Sequence, residues 1–418
     1  MTGQRAPSRL ALLTPLALVA GLLAVPVGAG AHQGHDPGDE PGYHGDDLVP
    51  LVLGIEATPD GGILITQNDL VRELRRGELT TVAQLPVADT EDGGPGGTPA
   101  TAPVNGLAAL GRGNFFATTG GLDSAQGAGL WRVSRGNARL VADIAAFEHA
   151  NDADATEGWK DHACEAADGW TAGPQSNPYQ LTALSGGEVL IADAAGTSLL
   201  RAKTNGDIDW VAVFPPAYDD DGEWLVQHEL EGDVTCYVQP VPTAVDVGPD
   251  GAYYVTELSG TPTPADLMGP DALAGLARVW RIEAGSSNVI CPSEDCTLVV
   301  EGLTSVMDAE FGPDGRFYVV ELDAAGWFLP AVTWQVAGGA IKACDVTTGE
   351  CEVVEEGLPT PGAITFDKRG RLWVVDNVLG IEGLPSIRTS IWVDPAHRAL
   401  GGGQGCSTAP PSPTATAS

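Results

Sequence analysis

Positive charge is scarce in this 418-residue chain, which has 21 Lys and Arg against 56 Asp and Glu and a formal charge of −35 at pH 7. The electric field of so negative a chain repels nucleic acids and anionic surfaces and attracts cations, so we expect no nucleic-acid partner. Solubility in a salty or extracellular setting explains the same composition without any ligand.

Long apolar runs are also lacking beyond the first 31 residues, so we expect no membrane insertion of the mature chain. Residues 1–31 begin with Arg5 and Arg9, continue with an apolar core and end in the small residues Ala29-Gly30-Ala31. This pattern is typical of a secretory signal peptide. No Cys stands at the cleavage point, so the sequence predicts a secreted, extracellular or periplasmic protein without a lipid anchor.

The seven cysteines include no Cys-x-x-Cys pair, which argues against zinc, and in an exported chain they indicate disulfides. Two pairs are close enough in sequence to bridge short loops, and two further cysteines in long loops remain to pair by elimination. We predict the bonds Cys291–Cys296, Cys344–Cys351 and Cys164–Cys236, with Cys406 left free.

Catalytic motifs are lacking too, since neither a Gly-x-Ser-x-Gly motif nor a phosphate-binding loop occurs. What the chain does contain is a repeat. Residues 245–258 read VDVGPDGAYYVTEL, and residues 309–322, 64 positions later, read AEFGPDGRFYVVEL. Each copy predicts two strands joined by a tight Pro-Asp-Gly turn.

The turn of this repeat can be traced six times, each time followed by an apolar strand. The turn dipeptides are Asp60-Gly61, Arg112-Gly113, Gly186-Gly187, Asp250-Gly251, Asp314-Gly315 and Arg369-Gly370. Further strands complete units of four, which predicts an all-β fold, a six-bladed β-propeller of four-stranded blades. The sixth copy lacks its fourth strand, so we expect an N-terminal strand, Leu48–Leu53, to complete the last blade and close the ring.

The predicted organisation has four parts: a signal peptide over 1–31, a His-rich acidic linker over 32–47, the propeller over 48–393 and a flexible Gly/Ser/Thr/Pro tail over 394–418. Metal capture by the histidines of the linker and a plain disordered spacer both fit the composition of the second part.

The long connections should all lie on one face of the propeller, because strands alternate in direction and the repeated Gly turns occupy the other. We call these the elaborated face and the plain face. Long loops on a rigid scaffold are where binding residues are usually found. Most second strands end at the elaborated face in an acid, which indicates either an acidic ring able to hold calcium or local backbone caps. These acids are Asp193, Glu257, Glu321 and Asp376.

Polar residues near the starts of the first strands should line the mouth of the central channel. Glu56, Asn105, Asn177 and Asp308 could together hold one divalent ion, Ca²⁺ or another, able to activate water or polarise a substrate. Polar side chains that fill a channel with water are the alternative. Histidines and tryptophans of the long loops offer a general base and stacking surfaces, or simply pack the loops. These are His149, His162, His228, Trp159, Trp170, Trp224, Trp327 and Trp334.

The segments NPYQLTAL (177–184), QPVPTAVDVGPDGAYYVTELSGTP (239–262) and PGAITFDKRGRLWVVDN (361–377) resemble the ScyD/ScyE family of secreted or periplasmic propeller proteins. The resemblance spans about residues 48–393 and implies the propeller and export, without a settled activity. The GPDG repeats are shared with NHL-repeat proteins, gluconolactonase-like lactonases and streptogramin lyases. The similarity to the lactonase-like relatives implies only one feature for this chain, a metal ion in the channel. The four channel residues match the ligands of such a metal by residue type.

Three functions follow as expectations. The first is a non-catalytic, monomeric propeller that binds a small molecule or a protein through its acidic elaborated face. The second is a metal-dependent lactonase- or lyase-like enzyme with a divalent ion in the channel. The third is a structural envelope protein.

Overall fold

The computed structural model describes residues 42–86, 103–120, 127–157, 174–218, 221–230, 234–260 and 274–394. Within these ranges the chain forms six blade sheets, each with four antiparallel blade strands, and one separate two-stranded sheet. Their innermost strands neighbour one another in a closed circle. The predicted six-bladed β-propeller is therefore confirmed. Within the described ranges, no helix has the length and apolar character needed to cross a membrane.

The blades follow one another along the chain, apart from strand β1 (Gly42–Tyr43), which comes first and belongs to the sixth blade. The first three blades are β2 (Ile55–Ala57), β3 (Ile63–Gln67), β4 (Leu70–Arg75) and β5 (Glu78–Gln84); β6 (Val104–Gly111), β7 (Asn114–Thr119), β8 (Gly129–Ser134) and β9 (Asn137–Asp143); and β10 (Pro178–Ala183), β11 (Glu188–Asp193), β12 (Ser198–Lys203) and β13 (Ile208–Val213).

A hairpin of β14 (Val226–Leu230) and β15 (Val234–Tyr237) precedes the fourth blade. The remaining strands are β16 (Pro240–Val247), β17 (Tyr253–Ser259), β18 (Ala277–Ile282), an extra β19 (Val289–Ile290) and β20 (Cys296–Leu303); β21 (Val306–Phe311), β22 (Phe317–Glu321), β23 (Gly339–Cys344) and β24 (Cys351–Leu358); and β25 (Ala363–Phe366), β26 (Arg371–Asp376) and β27 (Ser386–Trp392).

The repeated Pro-Asp-Gly turns form the hairpins that their sequence predicts. Gly251 and Gly315 have φ of 84° and 85°, in the left-handed region that only glycine adopts without strain. In the fourth blade, Asp250 Oδ1 accepts a hydrogen bond from Ala252 N at 3.1 Å and so ties the carboxylate into the turn. Turn chemistry is local, which is why these hairpins could be located from the sequence.

The strand that closes the ring differs from the predicted one. Gly42 and Tyr43, which we assigned to the linker, form β1 and pair antiparallel with β27. The predicted strand Leu48–Leu53 is wrong, because Pro50 and the left-handed φ of 71° at Leu51 interrupt it. Its leucines and Val52 are instead buried in the core, and Leu51 N donates to Val378 O at 2.6 Å.

The β14–β15 hairpin and two further elements were not predicted. Helix α1 (Ile144–Asn151) starts at Asp143, whose side chain accepts a hydrogen bond from Ala146 N. Strand β19 lies in the connection between β18 and β20 and pairs parallel with β13, so the fourth blade adds a fifth strand to the third. Short helical turns occur at Ala153–Glu157, Ser185–Gly187 and Leu329–Thr333.

The disulfides Cys291–Cys296 and Cys344–Cys351 are present as predicted. The first links the residue after β19 to the first residue of β20, and the second links the last residue of β23 to the first residue of β24. The predicted bond between Cys164 and Cys236 lies outside what the structure describes, as do Cys406, residues 1–31 and residues 395–418.

Candidate functional site in the axial channel

Three carboxylates from three blades occupy one level of the axial channel. Glu56, Asp246 and Glu310 each stand three residues before the Pro of a turn, and they pair across their hairpins with Leu64, Tyr254 and Tyr318 at equivalent positions. This register corrects the sequence-based alignment of Glu56 with Asp308. Asp308 lies two residues before Glu310 on the same strand, on the same side and nearer the elaborated face.

Each channel carboxylate accepts a hydrogen bond from the innermost strand of the next blade. The bonds are Ala109 N to Glu56 Oε1 at 3.0 Å, Phe311 N to Asp246 Oδ2 at 2.9 Å, Phe366 N to Glu310 Oε2 at 2.9 Å and Ile364 N to Asp308 Oδ2 at 3.0 Å. Innermost strands of adjacent blades share no ladder in this structure. The carboxylates therefore connect neighbouring blades by satisfying backbone donors that are buried or partly buried.

Burial raises the pKa of all four groups. It raises the pKa of Glu56 and of Asp308 to about 8, that of Asp246 to about 6, and that of Glu310 well above its ordinary value. The charge of Asp246 adds to the effect at each of the other three. At neutral pH this part of the channel therefore retains protons or favours a cation that would replace them.

The Tyr179 hydroxyl adds a second polar feature to the channel. Tyr179 is 3% exposed, and its oxygen has no hydrogen-bond partner among the described residues. Burial, together with the charge of Asp308, raises the pKa of this phenol. The next residue, Gln180, donates from Nε2 to Leu53 O at 2.8 Å. A buried hydroxyl without a partner is costly, and a polar ligand beside Asp308 would relieve that cost.

The four predicted metal ligands fall into two groups. Glu56 and Asp308 interact electrostatically in the channel. Asn105 and Asn177 form a separate buried pair, in which Asn105 Nδ2 donates to Asn177 Oδ1 at 3.1 Å and to Pro178 O at 2.8 Å. In the described ranges, no three of the channel carboxylates bring their oxygens within 4.8 Å of one another. A single ion held directly by all four predicted residues is not the arrangement seen.

The predicted acidic ring is buried and engaged in internal contacts. Asp193 accepts hydrogen bonds from Asn177 N at 2.7 Å and Gly196 N at 3.1 Å, and Glu257 forms a buried ion pair with Arg278. Each of these side chains contacts its own blade or the loop beside it. They accept hydrogen bonds from backbone N–H groups and brace strands. This agrees with the second interpretation of the sequence, in which these acids are local backbone caps.

The remaining two members of the ring are engaged in the same way. Glu321 Oε1 contacts Lys342 Nζ at 2.8 Å and accepts from Thr304 N at 2.7 Å. Asp376 Oδ2 lies 2.5 Å from Arg388 Nε. None of the four is more than 5% exposed, so the ring offers no open carboxylate surface to a ligand.

The loop aromatics are divided between packing and exposure. Trp327 is 4% exposed and donates to Ser259 O at 2.9 Å, and Trp224 packs edge-on against Tyr237. Trp334 is 44% exposed, and His149 is exposed on α1. Trp159, Trp170 and His162 lie outside the described residues, as does the side chain of His228.

The sequence reasoning missed Asp246, Glu310 and Tyr179. The two acids had a usable signal, since each stands three residues before a repeat Pro, as Glu56 does. It also missed a group on and after α1, where carboxylate oxygens of Glu148, Asp152 and Asp154 lie within 4.8 Å of one another. Asp154 there accepts a hydrogen bond from the Thr197 hydroxyl at 2.5 Å.

No family model matches this sequence, and no curated protein matches it either. Among solved structures, a gluconolactonase from Xanthomonas campestris is 12% identical, with a TM-score of 0.44, over 82% of this chain and 87% of the other. Virginiamycin B lyase from Staphylococcus aureus is 14% identical, with a TM-score of 0.44, over 84% and 98%. Both likenesses are below 25% identity and concern the fold alone.

Proposed function

We propose that this protein is a secreted ligand-binding propeller of the ScyD/ScyE type whose axial channel takes a small cationic ligand. The observation that carries the proposal is the buried, unpartnered Tyr179 hydroxyl beside Asp308, in a channel with three more carboxylates. Because the acidic ring is engaged internally, the binding role that the sequence suggested for it moves to the channel.

The ligand class follows from the charges. Four carboxylates with raised pKa values belong to the channel, and we find no Lys or Arg among the hydrogen-bond partners described for them. A divalent cation such as Ca²⁺ prefers carboxylate oxygens and accepts water in the remaining positions. A small protonated amine would donate its N–H groups to the same carboxylates and to the oxygen of the Tyr179 hydroxyl.

Titration calorimetry tests this proposal. The purified chain, dialysed against a chelator, is titrated with CaCl₂, MnCl₂ and a small diamine at pH 8. We expect saturable binding of at least one of them, weakened about tenfold or more by Asp308→Asn, since each lost charge contact costs more than 1.4 kcal/mol. Asparagine can still accept from Ile364 N, so the fold is retained.

The matched control is Glu301→Gln, which removes an exposed carboxylate on β20 and should leave binding unchanged. No saturable binding of any of the three probes, or equal affinity in Asp308→Asn and the unsubstituted chain, would contradict the proposal. The first outcome would favour the structural envelope role.

A lactonase-like hydrolase is the second candidate. It is favoured by one observation: Glu56 and Asp308, with pKa values of about 8, can exchange protons near neutral pH, as a general acid or base must. Turnover of a panel of lactones that is lost in Glu56→Gln, and kept in Glu301→Gln, would support catalysis. Ligand binding without turnover would support the binding role alone.

A further inference from the structure

A cavity of about 450 Å³ opens between the first and the sixth blade. Its walls are the β2–β3 turn at Asp60-Gly61, the β4–β5 turn at Arg75–Gly77 and the β25–β26 turn at Asp367–Arg369, with Gly42 of β1 at one side. These turns belong to the plain face, opposite the long loops. The cavity, which we call the seam pocket, exists only because ring closure brings the two ends of the chain together.

The seam pocket is positively charged in an otherwise acidic protein. Five cationic side chains line it, Arg75, Arg76, Lys368, Arg369 and Arg371, against the two carboxylates of Asp60 and Asp367. The whole chain has only 21 Lys and Arg, so nearly a quarter of them meet at this one place. Such a concentration runs against the field of the whole molecule and attracts anions locally.

Two of the five cations are neutralised inside the pocket wall. Arg75 Nη2 lies 2.9 Å from Asp60 Oδ2 and 2.6 Å from Glu73 Oε1, and Arg371 Nη2 lies 2.6 Å from Asp367 Oδ2. These pairs hold the walls in place.

Arg76, Lys368 and Arg369, by contrast, form no ion pair with any residue that the structure describes. All three are exposed at the rim. The pocket therefore combines fixed walls with an excess of three unneutralised charges.

The sixth-blade turn that presents Lys368 and Arg369 is well anchored. Lys368 Nζ lies 3.9 Å from where a Cβ on Gly61 would stand, so the sixth-blade turn reaches over the first-blade turn. Trp392 Nε1 donates to Arg369 O at 2.7 Å, and Arg369 N donates to Asp367 Oδ1 at 2.9 Å. An anchored turn loses little conformational entropy when a ligand binds.

The inner wall of the seam pocket is apolar. Ile63, Leu74 and Trp373 line it and are 4%, 5% and 5% exposed. The Arg371 guanidinium stacks over the Trp373 ring at 5.3 Å. A ligand that filled the cavity would meet an apolar inner surface and a cationic rim.

We propose that the seam pocket binds a small organic anion, a phosphate monoester or carboxylate on an apolar body. Guanidinium and ammonium groups at the rim match phosphate and carboxylate oxygens, and the cavity has the size of a small-molecule site. This site is on the opposite side of the propeller from the channel mouth and does not depend on the proposed channel function. A ligand held between both blades would also strengthen ring closure.

Phenyl phosphate is a suitable probe, because it joins a phosphate to a flat apolar ring. Titration calorimetry of the full chain at low ionic strength should give saturable binding to one site. The triple variant Arg76→Gln, Lys368→Gln, Arg369→Gln should weaken that binding about tenfold or more, since three charge-assisted contacts are removed. Phenol, which has the ring without the charge, should bind far more weakly than phenyl phosphate.

A matched control is available in the second blade. Arg135 and Gly136, with φ of 50° and 81°, form the same turn as Arg76 and Gly77, with φ of 55° and 81°, but lie outside the pocket. Arg135→Gln should therefore leave the affinity for phenyl phosphate unchanged. Equal affinity in the triple variant, no saturable binding to the unsubstituted chain, or equal binding of phenol would each overturn the proposal.

A lipid headgroup could present the same phosphate. Co-sedimentation with phosphatidic acid vesicles separates the two sources of the anion. We expect phenyl phosphate to bind and the vesicles to sediment without the protein. Binding to vesicles alone, without binding to phenyl phosphate, would overturn the assignment of a small soluble ligand.

Discussion

Arg278 and Glu257 form an ion pair inside the fourth blade, where their side chains are 5% and 2% exposed. Arg278 also donates to Pro215 O at 2.7 Å and to Pro216 O at 3.1 Å, which belong to the segment that follows the third blade. Glu257 thus holds the arginine that links the fourth blade to the segment after the third. The acid at the end of this second strand braces the interior and does not display its charge to solvent.

Replacing Arg278 by Met should be strongly destabilising, because Glu257 would remain buried without its counter-charge. We expect a loss of about 3–5 kcal/mol in the free energy of unfolding, measured by urea denaturation. The double variant Arg278→Met, Glu257→Gln should recover part of that loss. Arg281→Met, which removes partly exposed pairs with Asp250 and Glu283, should cost about 1 kcal/mol or less. Equal losses for the two Arg variants would contradict the bracing role.

Stability should fall as the pH rises through the range in which the channel carboxylates lose their protons. Glu56 and Asp308 have pKa values of about 8 in the folded chain, raised by burial, so the folded state binds more protons than the unfolded state between about pH 4 and pH 8. The contribution of these two groups to the free energy of unfolding is fully present below that pH range and is lost above it. We expect a decline of several kcal/mol between pH 5 and pH 9, since each unit of pKa difference corresponds to about 1.4 kcal/mol.

The double variant Glu56→Gln, Asp308→Asn isolates this effect, since its unfolding free energy should vary less with pH over the same interval. Chemical denaturation at pH 5, 7 and 9 makes the comparison. Parallel pH profiles for the variant and the unsubstituted chain would show that these two groups do not titrate as the burial requires.

Tyr179→Phe should separate stability from binding. The Tyr179 hydroxyl is buried without a partner, so its removal is expected to leave the unfolding free energy unchanged or to raise it by about 1 kcal/mol. The same change should weaken ligand binding in the channel. As a control, Tyr318→Phe removes a hydroxyl that contacts Asp314 at 3.1 Å and Arg316 at 3.0 Å, and should cost about 1 kcal/mol. A destabilised Tyr179→Phe would mean that the hydroxyl is satisfied.

The disulfide Cys291–Cys296 should hold β19 on the edge of the third blade. The double variant Cys291→Ser, Cys296→Ser is expected to lose about 2 kcal/mol, the value for a loop of this length. Hydrogen exchange of Val289 and Ile290 should speed up in the variant, and Cys406→Ser should have neither effect. Peptide mapping without reduction would also test the predicted Cys164–Cys236 bond, and a bond from Cys291 to Cys344 would contradict the blade assignment.

Much of the channel could have been placed from the sequence. The spacing of Glu56, Asp246 and Glu310 from their turns sets one level of the ring, because inner strands that start from equivalent hairpins share a register. Our sequence reasoning instead aligned Glu56 with Asp308, which is two residues off. Tyr179 carried no local signal, since its lack of a hydrogen-bond partner depends on distant blades.

The sequence by itself determined the number of blades and the position of their hairpins, because Gly-containing turns and alternating apolar strands are encoded within a few residues. Only the tertiary structure decided that Gly42–Tyr43, and not Leu48–Leu53, closes the ring, since that choice depends on which segment fits the core. The tertiary structure also decided that the carboxylates of the acidic ring are buried against other residues of the protein. The seam pocket belongs to the tertiary structure entirely, because residues about 300 positions apart approach one another only when the circle closes.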